Sequence, residues 1–424
     1  MIDALIAGVL ALAWAAAVWW GADRRAIVLA VLAGTIGLLY WPALGYGFIL
    51  DDFFFARPVT ATELLSTLWG NWHPGGLGNA QYRPVLALVL AIDYGLWGAR
   101  TWGYHLTSLL VMLAAGMLAF EFLRRLTGSA RAGLAGALAW IAHPMSTSVA
   151  GWCAEKTDSV MAAFYLAALL ALTHSPWNRR WLAATVVLGG LALGSKEMAA
   201  TLPLVAGVVV LSCTEDWRRR LPAVVMLGTL TGLFVLWWVR LFPSKASLKL
   251  DQVGPAAPRL LIPVFAPTSY ERWWNSDPGT WIHLIVLLLA GGGVVYALRR
   301  RADQRPARTL ALALLWPALA MIPIFGLRPP DVYRLGFLIC FAFALVVAAV
   351  VAALDRRRWV QVALVALIAI WFAPLARASV AVWGPGGFQY SLIIRWNLQD
   401  PRWDRQLTPE MQRVFRKQMR RHPP

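Results

Sequence analysis

Long apolar runs recur along this chain, and they constrain its fold more than any other feature of the sequence. A transmembrane helix needs about 20 mainly apolar residues, or somewhat fewer when charged residues bound the run. About twelve such runs lie near residues 4–20, 26–46, 102–123, 131–143, 158–173, 181–195, 198–212, 221–240, 281–298, 309–325, 334–354 and 359–376. Three of them are short: 131–143, 181–195 and 198–212. The pattern predicts an all-α polytopic membrane protein with about twelve transmembrane helices.

The composition indicates the same class of protein. Only 14% of the 424 residues are charged and 59% are hydrophobic, whereas a soluble chain carries about a quarter charged residues. A soluble enzyme and a nucleic-acid-binding protein are therefore excluded, despite the formal net charge of +18. In a membrane protein that excess of Lys and Arg is expected in the cytoplasmic loops.

Short basic connections follow every second apolar run, and they predict the orientation of the chain. They lie at residues 22–25, 124–131, 178–180, 216–220, 299–308 and 355–358. Because cytoplasmic loops collect Lys and Arg, we expect these six connections at the cytoplasmic face. Both termini and the intervening loops then lie at the outer face.

The predicted outer loops carry most of the unusual ionisable residues. The first loop, roughly 47–101, opens with Asp51 and Asp52 directly after an apolar run. Carboxylates at a membrane boundary are costly unless they are hydrated, paired or functional. The other outer loops are 143–157, 195–197, a long Pro-rich stretch at 241–280, and 326–334. Within the first loop, residues 84–98 are apolar but short, so we expect a helix that lies in the membrane interface.

These residues suit the transfer of a sugar from a lipid phosphate. Such a reaction needs a carboxylate to take the proton of the acceptor hydroxyl, and Asp51 or Asp52 offers one. It also needs cations for the phosphate leaving group. The candidates are Lys156, Lys196, Arg83 and Arg334. A transporter would instead hold its substrate near the bilayer midplane, where this sequence has few charges.

Structural interpretations of the same residues remain open. Solvation at a helix end would account for Asp51-Asp52, for Glu155-Lys156 and for Lys196-Glu197. His143, which precedes Pro144, is typical of a helix cap, and Arg83 could simply anchor the interfacial helix. Asp158 lies one turn inside a predicted span, where a lone carboxylate is costly, so a functional or paired role is favoured.

The last residues, 381–424, form a basic tail after the membrane-embedded region, residues 1–380. Thr408-Pro409-Glu410 is typical of a helix start. Apolar residues recur after it at helical spacing with five cations between them, which predicts an amphipathic helix outside the cytoplasm. A membrane surface or plain solvation would both suit such a helix.

Five motifs, in this order, resemble the GT-C superfamily of polytopic glycosyltransferases. They are Gly47-Phe-Ile-Leu-Asp51-Asp52, Tyr82-Arg83-Pro84, Trp102-Gly-Tyr104-His105-Leu106, His143-Pro144 with Lys156-Thr-Asp158, and Ser195-Lys196-Glu197. The resemblance covers roughly residues 45–200 and is weaker at 328–337. It is strongest to membrane transferases related to protein O-mannosyltransferases, including those with tetratricopeptide repeats, and more distant to the aminoarabinose transferases.

The resemblance implies a GT-C-like helical bundle over residues 1–380 that acts as an inverting glycosyltransferase. The donor would be a polyprenyl-phosphate-linked sugar, and the acceptor a hydroxyl of a protein, glycan or lipid at the outer, periplasmic face of the bacterial inner membrane. Asp51 or Asp52 would be the catalytic base, Asp158 would support the acceptor or the donor sugar, and Lys156 would meet the donor phosphate. Lys196, Arg83 and Arg334 remain further predicted phosphate ligands, and the predicted supporting residues are Glu197, His143, Glu155, Tyr82 and His105.

The sequence departs from the family pattern in three places, and it leaves other functions open. The late motif around Arg334 is shorter than the usual Arg-Tyr-Leu-Tyr version. Ser148 stands where relatives often have Glu, and no tetratricopeptide repeats follow the last predicted span, so the acceptor stays undefined. The superfamily has metal-dependent and metal-independent members, so a divalent metal also stays open. The alternatives are a transporter or flippase of a lipid-linked or anionic solute, and an enzyme of the O-antigen polymerase or ligase type.

Overall fold

The computed structural model describes residues 1–49, 51–70, 72, 81–214, 216–242, 264–265, 305–320, 322, 336–385, 387, 390 and 407–421. The α-helices in this part of the chain are Ile2–Ala16, Arg25–Tyr40, Asp52–Phe55, Ala61–Ser66, Pro84–Trp97, Thr101–Thr127, Ala130–Ile141, Thr147–Gly151, Lys156–Leu172, Arg179–Ser195, Leu202–Cys213, Trp217–Leu241, Arg305–Ala320, Gly336–Ile339, Phe341–Ala353, Arg358–Ala381 and Pro409–Arg421. The predicted all-α class is confirmed. Between the described residues, the β-type pairing is one isolated bridge that joins Trp72 and Gln81.

The predicted apolar runs overlap these helices, except for 281–298, which lies outside the described residues, as do parts of 309–325 and 334–354. Among the described residues, 6 helices are long and apolar enough to cross a membrane: Ile2–Gly21, Arg25–Gly45, Thr101–Thr127, Trp217–Leu241, Gly336–Ala353 and Arg358–Ala381. The runs that looked short in the sequence are also short as helices, and Ala130–Ile141 has 12 residues. The predicted total of about twelve spans is therefore not confirmed.

Residues of the basic connections meet at one end of the bundle. Arg125 donates to the Leu170 carbonyl at 2.9 Å, Arg220 donates to the His174 carbonyl at 2.9 Å, and Arg131 lies 3.6 Å from Asp355. The Arg358 guanidinium lies 5.7 Å from the ring centroid of Trp19, and Arg305 packs against Gly128. These contacts link one basic connection to the next, and the position of the remaining loops at the outer face stays a prediction.

The long helix Thr101–Thr127 lies at the centre of the bundle. It packs against Ala130–Ile141, Lys156–Leu172, Arg25–Tyr40 and Pro84–Trp97. The first helix, Ile2–Ala16, packs along the helix Arg358–Ala381, so the first and last helices of the predicted membrane-embedded region are neighbours. This arrangement places the ends of several helices around one region at the outer-loop end.

The predicted helix in the first outer loop is Pro84–Trp97, which begins with Pro84 at its first turn. Leu88, Ile92 and Leu96, spaced one turn apart, are exposed on one side of it. Its other side is buried and includes Asp93. A helix with an exposed apolar stripe suits the membrane interface, and that position stays a prediction.

The predicted tail helix is Pro409–Arg421, and Thr408 caps it by accepting a hydrogen bond from the Met411 amide at 3.3 Å. Met411 and Phe415 are buried in the hydrophobic core. The sequence left a membrane surface or solvent as the surroundings of this helix, but protein covers its apolar face. The boundary between residues 380 and 381 stays a prediction.

Candidate active site

Four breaks in the helical pattern bring the site residues together. Arg83 is held before the helix that Pro84 starts, because proline fits the first helical turn and not the interior. Trp152 has an extended backbone (φ −129°, ψ 119°) just before the segment 153–158. Lys196 is likewise extended (φ −159°, ψ 142°) between the helix Arg179–Ser195 and a 3₁₀ turn. The fourth break lies before the short helix Asp52–Phe55. Asp51, the first residue of the acidic pair Asp51-Asp52, immediately precedes this helix.

Asp52 is a buried carboxylate that ties two of these segments together. Its Oδ2 accepts a hydrogen bond from the Ile49 amide at 3.0 Å, and its Oδ1 accepts one from the Ala154 amide at 2.7 Å. Burial raises the pKa of Asp52 from 3.8 to about 8, and the two amide hydrogen bonds offset only part of that effect. Both carboxylate oxygens are engaged by the protein backbone, so Asp52 has a structural role in this geometry.

Asp51 differs from its neighbour in exposure. It stands immediately before the helix Asp52–Phe55, its side chain makes no cap hydrogen bond there, and it is partly exposed. The sequence left open which member of the pair is the base. Of the two, Asp51 is the more exposed.

Lys156 forms an ion pair with Asp93, and both side chains are fully buried. Its ammonium also lies 5.5 Å from the ring centroid of Tyr104. Asp93 is a site residue that the sequence analysis did not select, although the signal was visible: a carboxylate that interrupts an otherwise apolar helix. A buried charge needs a partner, and an opposite charge on another segment supplies it.

Lys196 lies between two carboxylates of the neighbouring segment. Its Nζ is 2.7 Å from Asp158 Oδ2 and 3.4 Å from Glu155 Oε2. The Thr157 hydroxyl donates to the Ser195 carbonyl at 2.7 Å, which holds the first turn of Lys156–Leu172 against the break at Lys196. Asp158 is therefore paired with Lys196. A paired role was one of the two that the sequence favoured for Asp158.

Arg83 joins this cluster from the first outer loop. It donates two hydrogen bonds to Glu197, from Nη2 at 2.8 Å and from Nε at 3.2 Å. Glu155 and Asp158 also interact electrostatically with Arg83. This bidentate pair is the most accessible of the three, because its side chains are 13% and 36% exposed whereas those of Lys156 and Asp93 are 0% exposed.

His143 and His105 contact the backbone rather than the charged cluster. His143 Nδ1 accepts from the Met145 amide at 3.1 Å, and Nε2 lies 3.1 Å from the Val264 carbonyl. The capping interpretation of His143 is confirmed. His105 Nδ1 lies 3.0 Å from the Ala150 carbonyl.

The Tyr82 hydroxyl donates to the Leu68 carbonyl at 3.0 Å. Tyr82 thus links the start of Pro84–Trp97 to an earlier part of the first outer loop, beside its neighbour Arg83. Arg334 lies outside the described residues.

The assembled cluster holds more carboxyl groups than cations. Its cations are Arg83, Lys156 and Lys196, and its carboxylates are Asp51, Asp52, Asp93, Glu155, Asp158 and Glu197. Each of the three cations is paired with a carboxylate. Among the described residues, no group of three or more His, Cys, Asp or Glu side chains is arranged to hold a metal ion.

Comparison with known proteins gives one family match in sequence. The family model described as dolichyl-phosphate-mannose-protein mannosyltransferase matches residues 73–238. The human protein O-mannosyl-transferase TMTC3 is 24% identical over 185 residues, which are 41% of this chain and 20% of that protein. The Xenopus laevis protein O-mannosyl-transferase tmtc2 is 28% identical over 152 residues, 33% of this chain and 18% of that protein. The chain thus spans about a fifth of the length of these relatives.

The chain aligns with two solved structures. The Archaeoglobus fulgidus oligosaccharyltransferase, determined with a tethered acceptor peptide, aligns with a TM-score of 0.50 and 14% identity over 89% of this chain and 57% of that one. ArnT from Cupriavidus metallidurans, bound to undecaprenyl phosphate, aligns with a TM-score of 0.47 and 14% identity over 90% of this chain and 81% of that one. The chain is thus similar over residues 73–238 to the dolichyl-phosphate-mannose-protein mannosyltransferase family, and its helical fold is similar to that of the oligosaccharyltransferase.

Proposed function

We propose that this chain is an inverting glycosyltransferase that moves a sugar from a polyprenyl-phosphate donor to a hydroxyl acceptor at the outer face of the inner membrane. One observation carries the proposal: the partly exposed Asp51 stands beside Asp52, whose hydrogen bond to Ala154 holds the acidic pair next to the segment of Lys156. The description of the matching family supports the donor class, since dolichyl phosphate is a polyprenyl-type lipid phosphate.

The proposed reaction is a single displacement. The acceptor oxygen forms a bond to the anomeric carbon of the sugar while the bond from that carbon to the donor phosphate oxygen breaks. The electron pair of the broken bond leaves with the polyprenyl phosphate, and the proton of the acceptor hydroxyl goes to Asp51. Phosphate leaves as an anion without being protonated, so one carboxylate suffices where a glycosidase needs two.

The donor phosphate needs positive charge at the point where its own charge grows. Arg83 is the cation that a donor reaches first, because its pair with Glu197 is the most exposed of the three. Lys196 follows, since it is shared between Asp158 and Glu155. Lys156 reaches a phosphate only if its buried pair with Asp93 opens.

In each case the phosphate takes the place of a carboxylate on the cation. Each cation of the described cluster is already paired with a carboxyl group, so a further positive charge would favour phosphate binding. Arg334, which the sequence analysis selected, is our candidate for it.

The test uses purified protein in nanodiscs with polyprenyl-phosphate sugars, beginning with polyprenyl phosphate mannose, and measures sugar transfer and release of polyprenyl phosphate. Loss of a general base costs about 10²–10⁴-fold in rate, so Asp51→Asn should lose at least about 100-fold while keeping its thermal stability. Glu63→Gln is the matched control, because Glu63 lies in the same loop and pairs with Arg57 instead of joining the cluster.

Normal transfer by Asp51→Asn would contradict the proposed base. A transporter or flippase would move the donor across the bilayer and release no polyprenyl phosphate. Absence of release with every donor tested, together with measurable movement of donor in wild-type protein, would favour that alternative function.

A further inference from the structure

The C-terminal helix Pro409–Arg421 packs against the segment that carries the acidic pair. Phe415 meets Phe53 edge to face, with ring centroids 5.5 Å apart. Phe53 belongs to the short helix Asp52–Phe55, which has 4 residues. A single helical turn does not hold itself together, since nucleation costs more than one hydrogen bond returns. The conformation of this segment therefore depends on what packs against it.

Gln418 makes the most specific of these contacts. It is buried, and its side-chain amide Nε2 donates to the Phe48 carbonyl at 2.9 Å and lies 3.2 Å from the Tyr390 hydroxyl. Phe48 precedes Asp51 by three residues. The amide therefore fixes the backbone on the N-terminal side of Asp51, while Asp52 fixes it on the other side through Ala154.

Gly47 shows how closely the helix approaches. A Cβ atom at position 47 would lie 2.2 Å from Gln418 Oε1, so any side chain there would displace Gln418. A Cβ atom at Gly45, two residues earlier, would meet nothing within 4 Å. The space at position 47 is filled by the C-terminal helix.

A second contact joins the same helix to the other half of the site. The Tyr94 hydroxyl donates to Glu410 Oε2 at 3.0 Å. Tyr94 follows Asp93, the ion-pair partner of Lys156. The C-terminal helix thus bridges the segment of Asp51 and the helix of Asp93. The two helix residues that make these contacts, Gln418 and Glu410, lie outside the residues 73–238 that match the family.

We propose that Gln418 is a positioning residue for the glycosyl transfer. By holding the Phe48 carbonyl it sets the place of the Asp51 carboxylate, so the C-terminal helix is part of the active site instead of a detached basic tail. This inference rests on the proposed function, because it assigns Gln418 a role through Asp51.

The variant Gln418→Met keeps the length of the side chain and its packing but removes the hydrogen-bond donor. Displacing a catalytic group by about 1 Å costs on the order of 100-fold in rate, so we expect kcat to fall about 10- to 100-fold with KM for polyprenyl phosphate mannose changed less than about 3-fold. Gln412→Met is the matched control, since Gln412 lies on the same helix and donates to the Leu407 carbonyl at 3.3 Å, away from the acidic pair. The control should keep wild-type kcat.

Gly47→Ala tests the same contact from the opposite side. It should displace Gln418 and reproduce the loss in kcat, whereas Gly45→Ala should not.

Trypsin reports the docking of the helix independently of activity, because Arg413, Lys417 and Arg420 are exposed on it. Cleavage there should be slow in wild type and faster in Gly47→Ala.

The double variant Asp51→Asn/Gln418→Met separates a positioning role from a merely structural one. If Gln418 acts through Asp51, adding Gln418→Met to Asp51→Asn causes no further loss in kcat, because coupled residues are not additive. A multiplied loss in the double variant, or wild-type kcat in Gln418→Met, would overturn the inference. Full activity of Asp51→Asn alone would instead overturn the proposed function.

Discussion

The two ends of the helical bundle use the same residue types in opposite ways. At the end with the basic connections, Arg124 and Arg125 pair with Glu121 three and four residues earlier on one helix, and these side chains are 41%, 29% and 17% exposed. At the other end the pairs of Lys156, Lys196 and Arg83 join segments 38 to 114 residues apart in sequence. There Lys156 and Asp93 are 0% exposed.

The difference in burial bears on whether an ion pair is present for stability or for function. An exposed local pair contributes about 0–1 kcal/mol. A buried pair pays a desolvation cost that well-packed apolar residues would not pay, so burial of ions is a poor way to gain stability. The concentration of buried pairs at one end is therefore better explained by the chemistry proposed for that end.

The largest expected effect comes from breaking the buried pair of Lys156. Lys156→Met leaves Asp93 as an uncompensated buried carboxylate, and such a change costs about 3–5 kcal/mol. The measurement is the free energy of unfolding in mixed detergent micelles. The double variant Lys156→Met/Asp93→Leu removes both charges and should regain most of the loss. Equal instability of single and double variants would show that the pair is not the source of the effect.

A smaller effect is expected from the pH dependence of Asp52. Its pKa is about 8 in the folded protein against 3.8 ordinarily, with burial as the main cause and the charges of Asp51 and Lys156 facing it. The folded state therefore holds the proton more tightly, and the associated stability is fully present below pH 3.8 and is lost as the pH rises to about 8.

Between about pH 6.5 and pH 8, wild type should lose roughly 1–2 kcal/mol more than Asp52→Asn, which cannot ionise. Thermal unfolding of both proteins across this range measures the difference. Parallel pH profiles for the two proteins would contradict the assignment. Because the comparison is of slopes, the constant cost of placing an Asn amide beside two backbone amides does not affect it.

The fold was predictable from the sequence because two physical rules act on every segment separately. Lipid forces the backbone of a span to satisfy its own hydrogen bonds, which favours helices, and Lys and Arg mark the cytoplasmic connections. Both rules depend only on the local sequence, so the local sequence predicts the helix positions and the alternation of basic connections. The resemblance to the GT-C superfamily was also visible in the sequence, since its motifs are local.

The roles within the site were less predictable, because they depend on contacts that local sequence does not encode. Asp51 and Asp52 are neighbours with the same apolar surroundings in sequence. They are distinguished by the Ala154 amide, which lies 102 residues from Asp52. Asp93 was passed over because its partner Lys156 lies 63 residues away.

The C-terminal helix shows the same limit. Its periodicity and its Thr408 cap were visible in the sequence, so Pro409–Arg421 was predicted. The sequence of an apolar face, however, does not indicate what will cover that face. Protein covers Met411 and Phe415, where a membrane surface or solvent had been the alternatives.

The smallest expected effect comes from the exposed pairs at the basic end. Arg124→Ala removes the bidentate contact to Glu121, whose two distances are 2.7 and 2.9 Å. Because water solvates both partners and Arg125 remains 2.9 Å from the same carboxylate, the cost should be at most about 1 kcal/mol. Unfolding under the conditions used for Lys156→Met measures it, and raising the salt concentration should shrink it further. Sugar transfer should be unchanged. A loss as large as that of Lys156→Met would mean that burial does not distinguish the two ends, and the functional explanation for the buried pairs would lose its basis.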